Sequence, residues 1–418
     1  MHNLKEIREN LEHFKTSLSH RNSEVDYDQI LDLDKKNRQL IQEKEKFEME
    51  KKNISKSKDE SLFEKSKEIS KQIENLSKKQ KIIKNELDNL LSSIPNLPLD
   101  EVPVGKDEND NIEVTKSGEI KDFKFKPLSH YELGEKLNML DFDLATKTTG
   151  SRFVFVKDKL AALERAISNF MIDTHIQKNG YTEISPPLMA TDETMFGTGQ
   201  LPKFENDQFE IKIDHDTGRK FLIPTAEVIL TNMVRDQILS FKELPLRLVA
   251  STPCFRKEAG SYGKDTRGIM RLHQFEKVEL VQAVEASDSE EALEELTGHA
   301  ESILKKLDLP YRVVSLCSGD IGFSAAKTYD LEVWVPSQNA YREISSCSNF
   351  RDFQARRLKA RWKRSGDKNT ELLHTLNGSG LALSRTVLAI LENFQESDGS
   401  VTVPDALRGY LNKDSILG

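Results

Sequence analysis

The sequence predicts an α+β fold in which an antiparallel two-helix coiled-coil arm precedes a mixed domain of strands and helices. Two stretches predict it. Between residues 28 and 92, apolar residues recur at heptad spacing in two runs that a polar break separates. Between residues 252 and 280, two strand-like segments flank a loop with three glycines, which is typical of a long antiparallel hairpin. We expect the arm domain to span residues 1–105 and the second domain residues 106–418.

The composition argues against a membrane protein and against a disulfide-stabilised one. The chain has 418 residues, enough for two domains, and 31% of them are charged. No apolar run approaches the ~18 residues that a membrane span needs. The three cysteines lie far apart without Cys-x-x-Cys spacing, which favours a reducing compartment and excludes a zinc knuckle. The first residues resemble neither a signal nor a transit peptide, so we expect a soluble, cytoplasmic protein.

The arm is predicted from two narrow apolar seams. The first 26 residues are typical of one short helix and a linker. The outgoing seam then has heptad positions that end before a polar break, and they are Ile30, Leu33, Asn37, Leu40, Lys44, Phe47, Lys51 and Ile54. The returning seam consists of Ile69, Ile73, Leu76, Gln80, Ile83, Leu87 and Leu90. Neither seam is wide enough to stabilise a single helix, so we expect the two helices to pair. A helix of ~30 residues makes a rod of ~45 Å.

Lysines crowd the distal half of this rod. They include Lys52, Lys56, Lys65 and Lys71. The chain as a whole has a net charge of −8, which does not favour nucleic-acid binding, so any RNA contact must use a local basic surface of this kind. The alternative is a coiled coil that serves only for dimerisation or as a spacer, because a solvated helix face has the same appearance.

The second domain begins with a polar connection over residues about 104–130. A helix follows, with apolar residues at helical spacing, and the pair Asn179-Gly180 predicts its end. A strand that ends in Pro186-Pro187 comes next. In the stretch 221–227, Thr225 is predicted to cap a helix and Glu227 to complement its dipole.

The hairpin is informative through the parity of its side chains. On its second strand, one face is apolar and should point inward, and it comprises Met270, Leu272, Val278 and Leu280. The other face carries Arg271, His273, Phe275, Lys277 and Glu279, and the first strand adds Arg256 and Glu258. Burying such a face is costly unless a ligand uses its groups, and a nucleotide with an amino acid would fit them. A solvated hairpin with mixed charges is the alternative.

The C-terminal part adds a helix, two strands and a glycine motif. Residues 287–307 form an acidic amphipathic pattern, and residues 330–335 and 341–347 are typical of strands of one sheet. Gly378 and Gly380 are predicted to let the backbone approach a ligand closely. A helix that begins at this motif would point its amide end, and Arg385 in an early turn, at the ligand.

Several strings together resemble a known family. Phe255-Arg256-x-Glu258, the loop and His273-x-Phe275 resemble motif 2 of the class II aminoacyl-tRNA synthetases, and the string from Gly378 to Arg385 resembles their motif 3. With the helix–strand pair before Pro186 as motif 1 and the N-terminal arm, the chain resembles the seryl-tRNA synthetases. The resemblance implies a class II catalytic domain, an antiparallel sheet flanked by helices, and a homodimer.

The resemblance also implies an activity. The family joins L-serine to ATP as seryl-adenylate, with release of pyrophosphate, and transfers serine to tRNA(Ser); tRNA(Sec) is a further candidate substrate. Since a carboxylate is already a nucleophile, catalysis reduces to positioning and charge neutralisation. Arg256 would bridge the α-phosphate and the serine carboxylate, and Arg385 would hold the γ-phosphate.

The residues implied by the resemblance fall into four sets. Serine would contact Thr225, Ala226, Glu227, Arg256, Glu279, Asn377 and Ser379. ATP would contact Arg256, Lys257, Glu258, Phe275, Glu343, Ile344, Ser345, Ser346 and Arg385. Mg²⁺ would be held by Glu343 and Ser346, whose opposite parity predicts a β-bulge or a strand end between them. The tRNA would contact Lys52, Lys56, Lys65 and Lys71, because a rod that follows RNA shape needs lysines and no base code.

Two alternative functions remain at this point. One is a class II homologue that activates an amino acid for a carrier protein, although such relatives lack the long arm. The other is an inactive structural or regulatory paralogue, against which the intact Arg256, Glu258, Glu343 and Arg385 argue. Serine-dependent pyrophosphate exchange separates the three.

Overall fold

The protein folds into two compact units, Met1–Pro95 and Asn96–Gly418. The structure is a computed structural model that describes residues 1–57, 59–213, 218–259, 267–411 and 416–418. Within the described residues, no helix is both long and apolar enough to cross a membrane.

The first unit consists of two short helices and the predicted arm. Its helices are α1 Leu4–Glu9, α2 Leu11–Ser19, α3 Tyr27–Ser57 and α4 Phe63–Ser92. The prediction of one short helix before the arm is wrong, because Asn10 leaves the helical conformation (φ −131°, ψ 45°) and separates α1 from α2. The two-helix arm itself is confirmed, with its break in the predicted polar stretch.

The two seams face each other along the arm. Leu33, Ile69 and Leu87 are each at most 4% exposed. Further along, the polar seam residues pair, since the Gln80 side-chain amide donates a hydrogen bond of 2.9 Å to Asn37 Oδ1. This pair satisfies two polar groups in a half-buried position and thereby fixes the register of the two helices.

A buried carboxylate joins the base of the arm to the first helix. Asp34 is 2% exposed, and its two oxygens accept hydrogen bonds of 2.9 and 3.0 Å from the Arg8 guanidinium. Arg38 donates a further bond of 3.0 Å to the same carboxylate. Removing Asp34 would therefore leave Arg8 without this partner, so the base of α3 belongs to the packed part of the unit.

The second unit contains short and long helices around several sheets. Its helices are α5 His130–Lys136, α6 Phe142–Thr148, α7 Asp158–Asn179, α8 Asp192–Thr198, α9 Glu227–Asn232, α10 Ser289–Lys306, α11 Phe353–Leu358, α12 Leu383–Asn393 and α13 Asp405–Arg408. Its strands are β1 Ile112–Ser117, β2 Leu140–Asp141, β3 Phe155–Val156, β4 Thr182–Glu183, β5 Met189–Thr191, β6 Glu210–Ile211, β7 Lys220–Leu222, β8 Ile238–Ser240, β9 Leu246–Phe255, β10 Gln274–Val284, β11 Tyr311–Ser315, β12 Lys327–Val335, β13 Ala340–Arg351, β14 Arg361–Lys363, β15 Glu371–Leu372, β16 His374–Ala382, β17 Val401–Thr402 and β18 Ile416–Leu417.

The main sheet has eight strands in the order β1-β11-β12-β13-β16-β10-β9-β4. Neighbouring strands are antiparallel except at one edge, where β4 runs parallel to β9. The predicted antiparallel sheet flanked by helices is thus confirmed. The stretch 104–130 is more than a connection, because it contributes β1 as the other edge strand, paired with β11.

Helices α7, α10 and α12 enclose the core on one side of the sheet. They contribute fully buried residues such as Leu163, Leu296 and Leu388 to one apolar cluster with Val278 and Leu280 of β10. The predicted end of α7 is confirmed, since Gly180 adopts a left-handed conformation (φ +70°) that a glycine tolerates without strain. The opposite face of the sheet is covered in part by α9.

The hairpin is shorter than predicted. Its pairing ends at Phe255 and Gln274, so the second strand begins five residues later than the predicted start at Ile269. Met270 and Leu272 are buried (7% and 6% exposed), but they lie in the bend before the strand, and strand parity does not explain their burial. The predicted loop glycines at positions 260 and 263 lie outside the described residues.

Candidate active site

A pocket of about 370 Å³ opens over the middle of the main sheet. Strands β10, β13 and β16 form its floor, and the ends of β9 and the start of α9 and α12 form its walls. Twelve of the residues predicted for the site line it, and they are Thr225, Glu227, Arg256, Glu258, Phe275, Glu279, Glu343, Ile344, Ser346, Asn377, Ser379 and Arg385. These residues come from segments up to 160 positions apart (Thr225 to Arg385), which only the sheet order brings together.

Three predicted residues lie outside this lining. Ala226 is fully buried and Ser345 is 1% exposed, so their side chains face the interior. The Ser345 hydroxyl donates a hydrogen bond of 2.6 Å to the carbonyl of Ser379 and supports that pocket residue from behind. Lys257 is exposed, and its ammonium lies over the ring of Phe209 at 5.8 Å.

One end of the pocket is built around a buried carboxylate, Glu279, which is 1% exposed. The Thr225 hydroxyl donates a hydrogen bond of 2.9 Å to Glu279 Oε2 and accepts one of 3.2 Å from the backbone N–H of Glu227. The prediction that Thr225 caps the helix is wrong in position, because the N-cap of α9 is Ala226 without a side-chain cap bond, although the Thr225 hydroxyl still accepts from the N–H of Glu227, the first residue of α9. The same hydroxyl thus holds both the helix start and the carboxylate.

Glu227 is a second buried carboxylate beside the first. It is 7% exposed, and its Oε1 accepts a hydrogen bond of 2.8 Å from the side chain of Gln354. Burial, reinforced by the negative charge of Glu279, raises the pKa of Glu227 to about 7. Perturbed carboxyl groups in a polar pocket are typical of functional sites.

A β-bulge brings Ser379 opposite Glu279. In the pairing of β10 with β16, Val278 faces Leu381 and Glu279 faces Ser379, so that Gly380 is the extra residue. Leu381 has φ +114°, a conformation that a branched side chain rarely adopts. Strain of this kind concentrates at functional sites, and here the bulge places a second hydroxyl residue opposite the carboxylate.

The two motif glycines have a different role from the predicted one. A Cβ on Gly378 would lie 2.3 Å from Leu296 Cδ2 and 2.8 Å from Cys347 Sγ, and a Cβ on Gly380 would lie 2.9 Å from His175 Nε2. Both contacts are with the protein interior. The prediction that these glycines admit a ligand is therefore wrong: they let β16 pack closely against α7, α10 and β13. The motif helix also begins later, at Leu383, because residues 374–382 are a strand.

Gly378→Ala is expected to lower the free energy of unfolding by about 1–3 kcal/mol, because its methyl group overlaps side chains in a packed core. Urea denaturation followed by circular dichroism measures the change. Gly298→Ala is the matched control. Gly298 lies in α10 with no atom within 4 Å of its added Cβ, so alanine there should be neutral or stabilising by up to about 1 kcal/mol. Equal stability of the two variants would contradict the packing role.

Two arginines of the pocket, Arg385 and Arg271, are paired with its own carboxylates, and Arg256 lies over an aromatic ring. Arg385 Nη1 donates a hydrogen bond of 2.8 Å to the Glu343 carbonyl and lies 3.3 Å from Glu343 Oε2. Arg271 Nη1 lies 3.0 Å from Glu258 Oε2. The Arg256 guanidinium lies over the ring of Phe275, at 5.4 Å from its centroid.

In these pairs, carboxylates of the pocket occupy the guanidinium groups that an anionic ligand would use. Because the guanidinium groups already neutralise nearby carboxylates, an incoming anion must compete with those carboxylates for them. The Arg385 charge holds the pKa of Glu343 below its usual value.

The predicted bulge at Glu343 and Ser346 is confirmed. In the pairing of β12 with β13, Leu331 faces Ser345 and Glu332 faces Glu343, so Ile344 is the extra residue. Both Glu343 and Ser346 consequently line the pocket. An adjacent cavity of about 700 Å³ shares this wall and is lined by Asp330 as well.

The oxygen atoms of this wall fit a hard cation. Asp330 Oδ1 is inaccessible to solvent and accepts no hydrogen bond from the described residues, and burial together with the charge of Glu343 raises the Asp330 pKa. The described residues contain no group of three or more His, Cys, Asp or Glu that could hold a metal ion. Two or three oxygens are what Mg²⁺ takes from a protein when nucleotide phosphates supply the rest.

Sequence reasoning missed some pocket residues or gave them no role. Lys277, on β10, is 7% exposed and forms an ion pair with Glu279. Parity had placed it on the ligand face, and this was the available signal. Arg271 was likewise on that face, but its ion pair with Glu258 depends on the shape of the bend. Gln200 follows α8, and no sequence pattern marks it.

Comparison with known proteins decides the family. The family model described as the seryl-tRNA synthetase N-terminal domain matches residues 1–98, and that of the tRNA synthetase class II core domain (G, H, P, S and T) matches residues 208–394. A curated serine–tRNA ligase of Pelagibacter ubique (strain HTCC1062) is 65% identical over 412 residues, which cover 99% of this chain and 98% of that protein. The chain belongs to the seryl-tRNA synthetase family. The predicted family is thus confirmed.

Solved structures of seryl-tRNA synthetases have the same fold. The crystal structure of the Pyrococcus horikoshii seryl-tRNA synthetase complexed with ATP matches with a TM-score of 0.90 at 37% identity, covering 100% of this chain and 99% of that one. The cytoplasmic serine–tRNA ligase of Naegleria fowleri in complex with AMP matches with a TM-score of 0.88 at 33% identity, covering 98% and 95%. The predicted arm and class II catalytic domain are thereby confirmed.

Proposed function

We propose that this seryl-tRNA synthetase ligates L-serine to tRNA(Ser) at the expense of ATP. The observation that carries the proposal is a single pocket in which a buried carboxylate with two hydroxyls, Glu279 with Thr225 and Ser379, lies beside the guanidinium groups of Arg256 and Arg385. The first group suits an amino acid with a hydroxyl side chain. The second suits a carboxylate and phosphates.

In the first step, the serine carboxylate attacks the α-phosphorus of ATP, the bond to the pyrophosphate oxygen breaks, and pyrophosphate leaves. Arg256 would bind the serine carboxylate and the α-phosphate together, so that the two reacting atoms meet. Arg385 would exchange its Glu343 partner for the γ-phosphate. Phe275 and Arg385 would enclose the adenine ring, and Glu258 would accept from its amino group.

The remaining site residues complete this arrangement. Glu227, Asn377 and the backbone at Ala226 would fix the serine ammonium, while the backbone of Lys257, Ile344 and Ser345 would contact the nucleotide. Mg²⁺ would be held by Glu343 and Ser346 with Asp330 beside them, and when bound it would neutralise phosphate charge. In the second step, a ribose hydroxyl at the 3′ end of tRNA attacks the adenylate carbonyl, and AMP leaves.

The tRNA and the assembly state form the second part of the proposal. The arm within residues 1–105 would hold tRNA(Ser) through its lysines, and residues 106–418 would carry both chemical steps. Lys52, Lys56 and Lys71 are exposed, and Lys65 is exposed but pairs with Glu50 at 2.7 Å. Such surface pairs are weak, so this lysine remains available to a phosphate. We further propose a homodimer in the cytoplasm, with tRNA(Sec) as a second substrate to be tested.

Two assays test the proposed function. Serine-dependent ATP–pyrophosphate exchange reports the first step, and charging of purified tRNA(Ser) and tRNA(Sec) reports the second. We expect exchange with L-serine and charging of tRNA(Ser). Exchange with no charging of any tRNA would favour a synthetase homologue that serves a carrier protein. Absence of exchange in a folded protein would favour the inactive paralogue.

Shortening the arm is expected to separate the two steps. Replacing residues 42–75 with a short turn keeps the Asn37–Gln80 pair and the Asp34 cluster, which a cut at residue 28 would destroy. Exchange should stay within about twofold of the full-length protein. Charging of tRNA(Ser) should fall by roughly 10²-fold, because the phosphate contacts of the distal arm are lost. Both rates are measured on the same preparation.

Charge reversal at the distal lysines tests the same prediction and has a matched control on the same arm. Changing Lys52, Lys56, Lys65 and Lys71 to glutamate should weaken tRNA binding and reduce its salt dependence. The same change at Lys79 and Lys81, which are exposed nearer the base of the arm, should have little effect. If the shortened protein charges tRNA(Ser) at the full rate, the arm is only a structural coiled coil.

A further inference from the structure

A lysine lies inside the amino-acid end of the pocket. Lys277 is 7% exposed, and its ammonium forms an ion pair with Glu279 Oε2. The same oxygen accepts the hydrogen bond of 2.9 Å from the Thr225 hydroxyl. Burying an ammonium is costly, and a lysine without a task in this position could be replaced by an apolar residue. The pair therefore calls for an explanation in terms of what Glu279 does.

The charges around Glu279 suggest what the lysine prevents. Glu227 is a second buried carboxylate, and its raised pKa of about 7 reflects its own burial and the Glu279 charge. Two buried carboxylates that lie close enough to repel each other tend to share one proton, unless a nearby cation offsets their negative charges. Among the described residues, Cys254 on β9 interacts with both Lys277 and Glu279, Glu343 on β13 with Lys277, and Cys347 on β13 with Glu279, while Arg256 after β9 interacts with Glu227.

We infer that Lys277 is a positioning residue of the amino-acid subsite, whose ammonium offsets the negative charge of the neighbouring carboxylates so that Glu279 accepts a hydrogen bond from the substrate hydroxyl. An ionised carboxylate is an acceptor only, with about four acceptor sites. Oε2 is engaged by Thr225 and Lys277, and capacity remains for one more donor. This inference rests on the proposed function, because it assumes that the substrate is a hydroxyl amino acid.

Removing the ammonium has a defined consequence. In Lys277→Met, the Glu227–Glu279 pair should hold one more proton near neutral pH, because the pKa of the pair rises when its cation is lost. The pair has both carboxylates ionised only above that raised pKa. Serine, which brings its own ammonium and a donor hydroxyl, must then expel the proton. Serine affinity should therefore be weak at low pH and recover as the pH rises through the raised pKa.

Isothermal titration calorimetry of the full chain with L-serine tests this inference without catalysis. Titrations at pH 7 in phosphate and in Tris, whose heats of protonation differ, give the number of protons released. We expect Lys277→Met to release up to about one proton more per site than the unsubstituted protein. Its dissociation constant should be at least about tenfold weaker at pH 6 and should approach the unsubstituted value at pH 9.

Three further variants distinguish this role from a merely structural one. Lys277→Arg retains the positive charge and should release the same number of protons as the unsubstituted protein. Lys363→Met, an exposed lysine on β14, is the matched control and should change nothing. The double variant Lys277→Met with Glu279→Gln removes the ammonium together with its carboxylate partner, so it should fold even where the single variant does not. It should release no extra proton, because glutamine takes up none and Glu227 loses one attractive and one repulsive charge together.

The possible results separate two failures. If Lys277→Met binds serine with the same proton release and the same pH dependence as the unsubstituted protein, the inference is overturned. An extra proton that persists in the double variant overturns it too, because the proton then comes from another group. If the unsubstituted protein itself does not bind L-serine, the proposed function fails instead.

Discussion

Replacing Glu279 with alanine is expected to remove up to about 10⁴-fold of the discrimination between serine and alanine. The two amino acids differ by one hydroxyl, which apolar packing detects poorly. A buried acceptor detects it well, because alanine leaves that acceptor without its donor. Glu279 is 1% exposed and lies opposite Ser379 across the bulge in β16, so its carboxylate is in the position such a role requires.

The measurement is the ratio of kcat/KM values for L-serine and L-alanine in pyrophosphate exchange. Taking the ratio within one variant matters here, since Glu279→Ala leaves Lys277 buried without its partner and lowers both rates. Glu279→Gln keeps one acceptor and should retain part of the discrimination. Glu276→Ala, at an exposed position of the same strand, should leave the ratio unchanged. An unchanged ratio in Glu279→Ala would move serine selectivity to another residue.

The arm could be predicted almost completely from the sequence. A heptad seam depends on local spacing, and every predicted seam position is buried or half-buried. Even the polar positions were informative, since Asn37 and Gln80 meet across the two helices. The division between α1 and α2 was missed, because a break at a single asparagine leaves no periodic signal.

The hairpin shows where local patterns stop being sufficient. Alternation predicted an inward face that included Met270 and Leu272, and both are buried, but in a bend rather than in the strand. The burial of an apolar residue does not by itself reveal the backbone conformation. Gly378 and Gly380 illustrate the same limit. A glycine in a sequence indicates that something approaches the backbone closely, but it does not show whether that neighbour is a ligand or, as here, the protein's own side chains.

Predicting the pocket required two kinds of information. The motif strings brought Arg256, Glu258, Glu343 and Arg385 into one hypothesis although the chain separates them widely, and the sheet order places them around one cavity. Pairing among the pocket residues had no sequence signal. The Lys277–Glu279 contact within β10 and the Arg385–Glu343 contact between α12 and β13 depend on side-chain conformations, which only the folded structure defines.

Replacing Arg385 with alanine is expected to lower the rate of pyrophosphate exchange by at least about 10³-fold. A guanidinium that holds a phosphate during phosphoryl transfer typically accounts for a factor of this size. The fold should persist. Among the described residues, Arg385 bonds to the carbonyl of Met270 and to the carbonyl and the partly exposed carboxylate of Glu343, and pairs of that kind contribute little to stability. Arg256→Ala should cause a loss of similar size, because it removes the group that would join the serine carboxylate to the α-phosphate.

The variants that accompany Arg385→Ala decide whether geometry or charge matters. Arg385→Lys keeps the positive charge but loses the planar guanidinium that donates two parallel hydrogen bonds, so it should retain only part of the rate. Arg361→Ala, an exposed arginine on β14, should exchange at the full rate. Circular dichroism and urea denaturation check that each variant is folded. Exchange within about tenfold of the unsubstituted protein in a folded Arg385→Ala would contradict the phosphate role, and the Glu343–Arg385 contact would then be a structural ion pair.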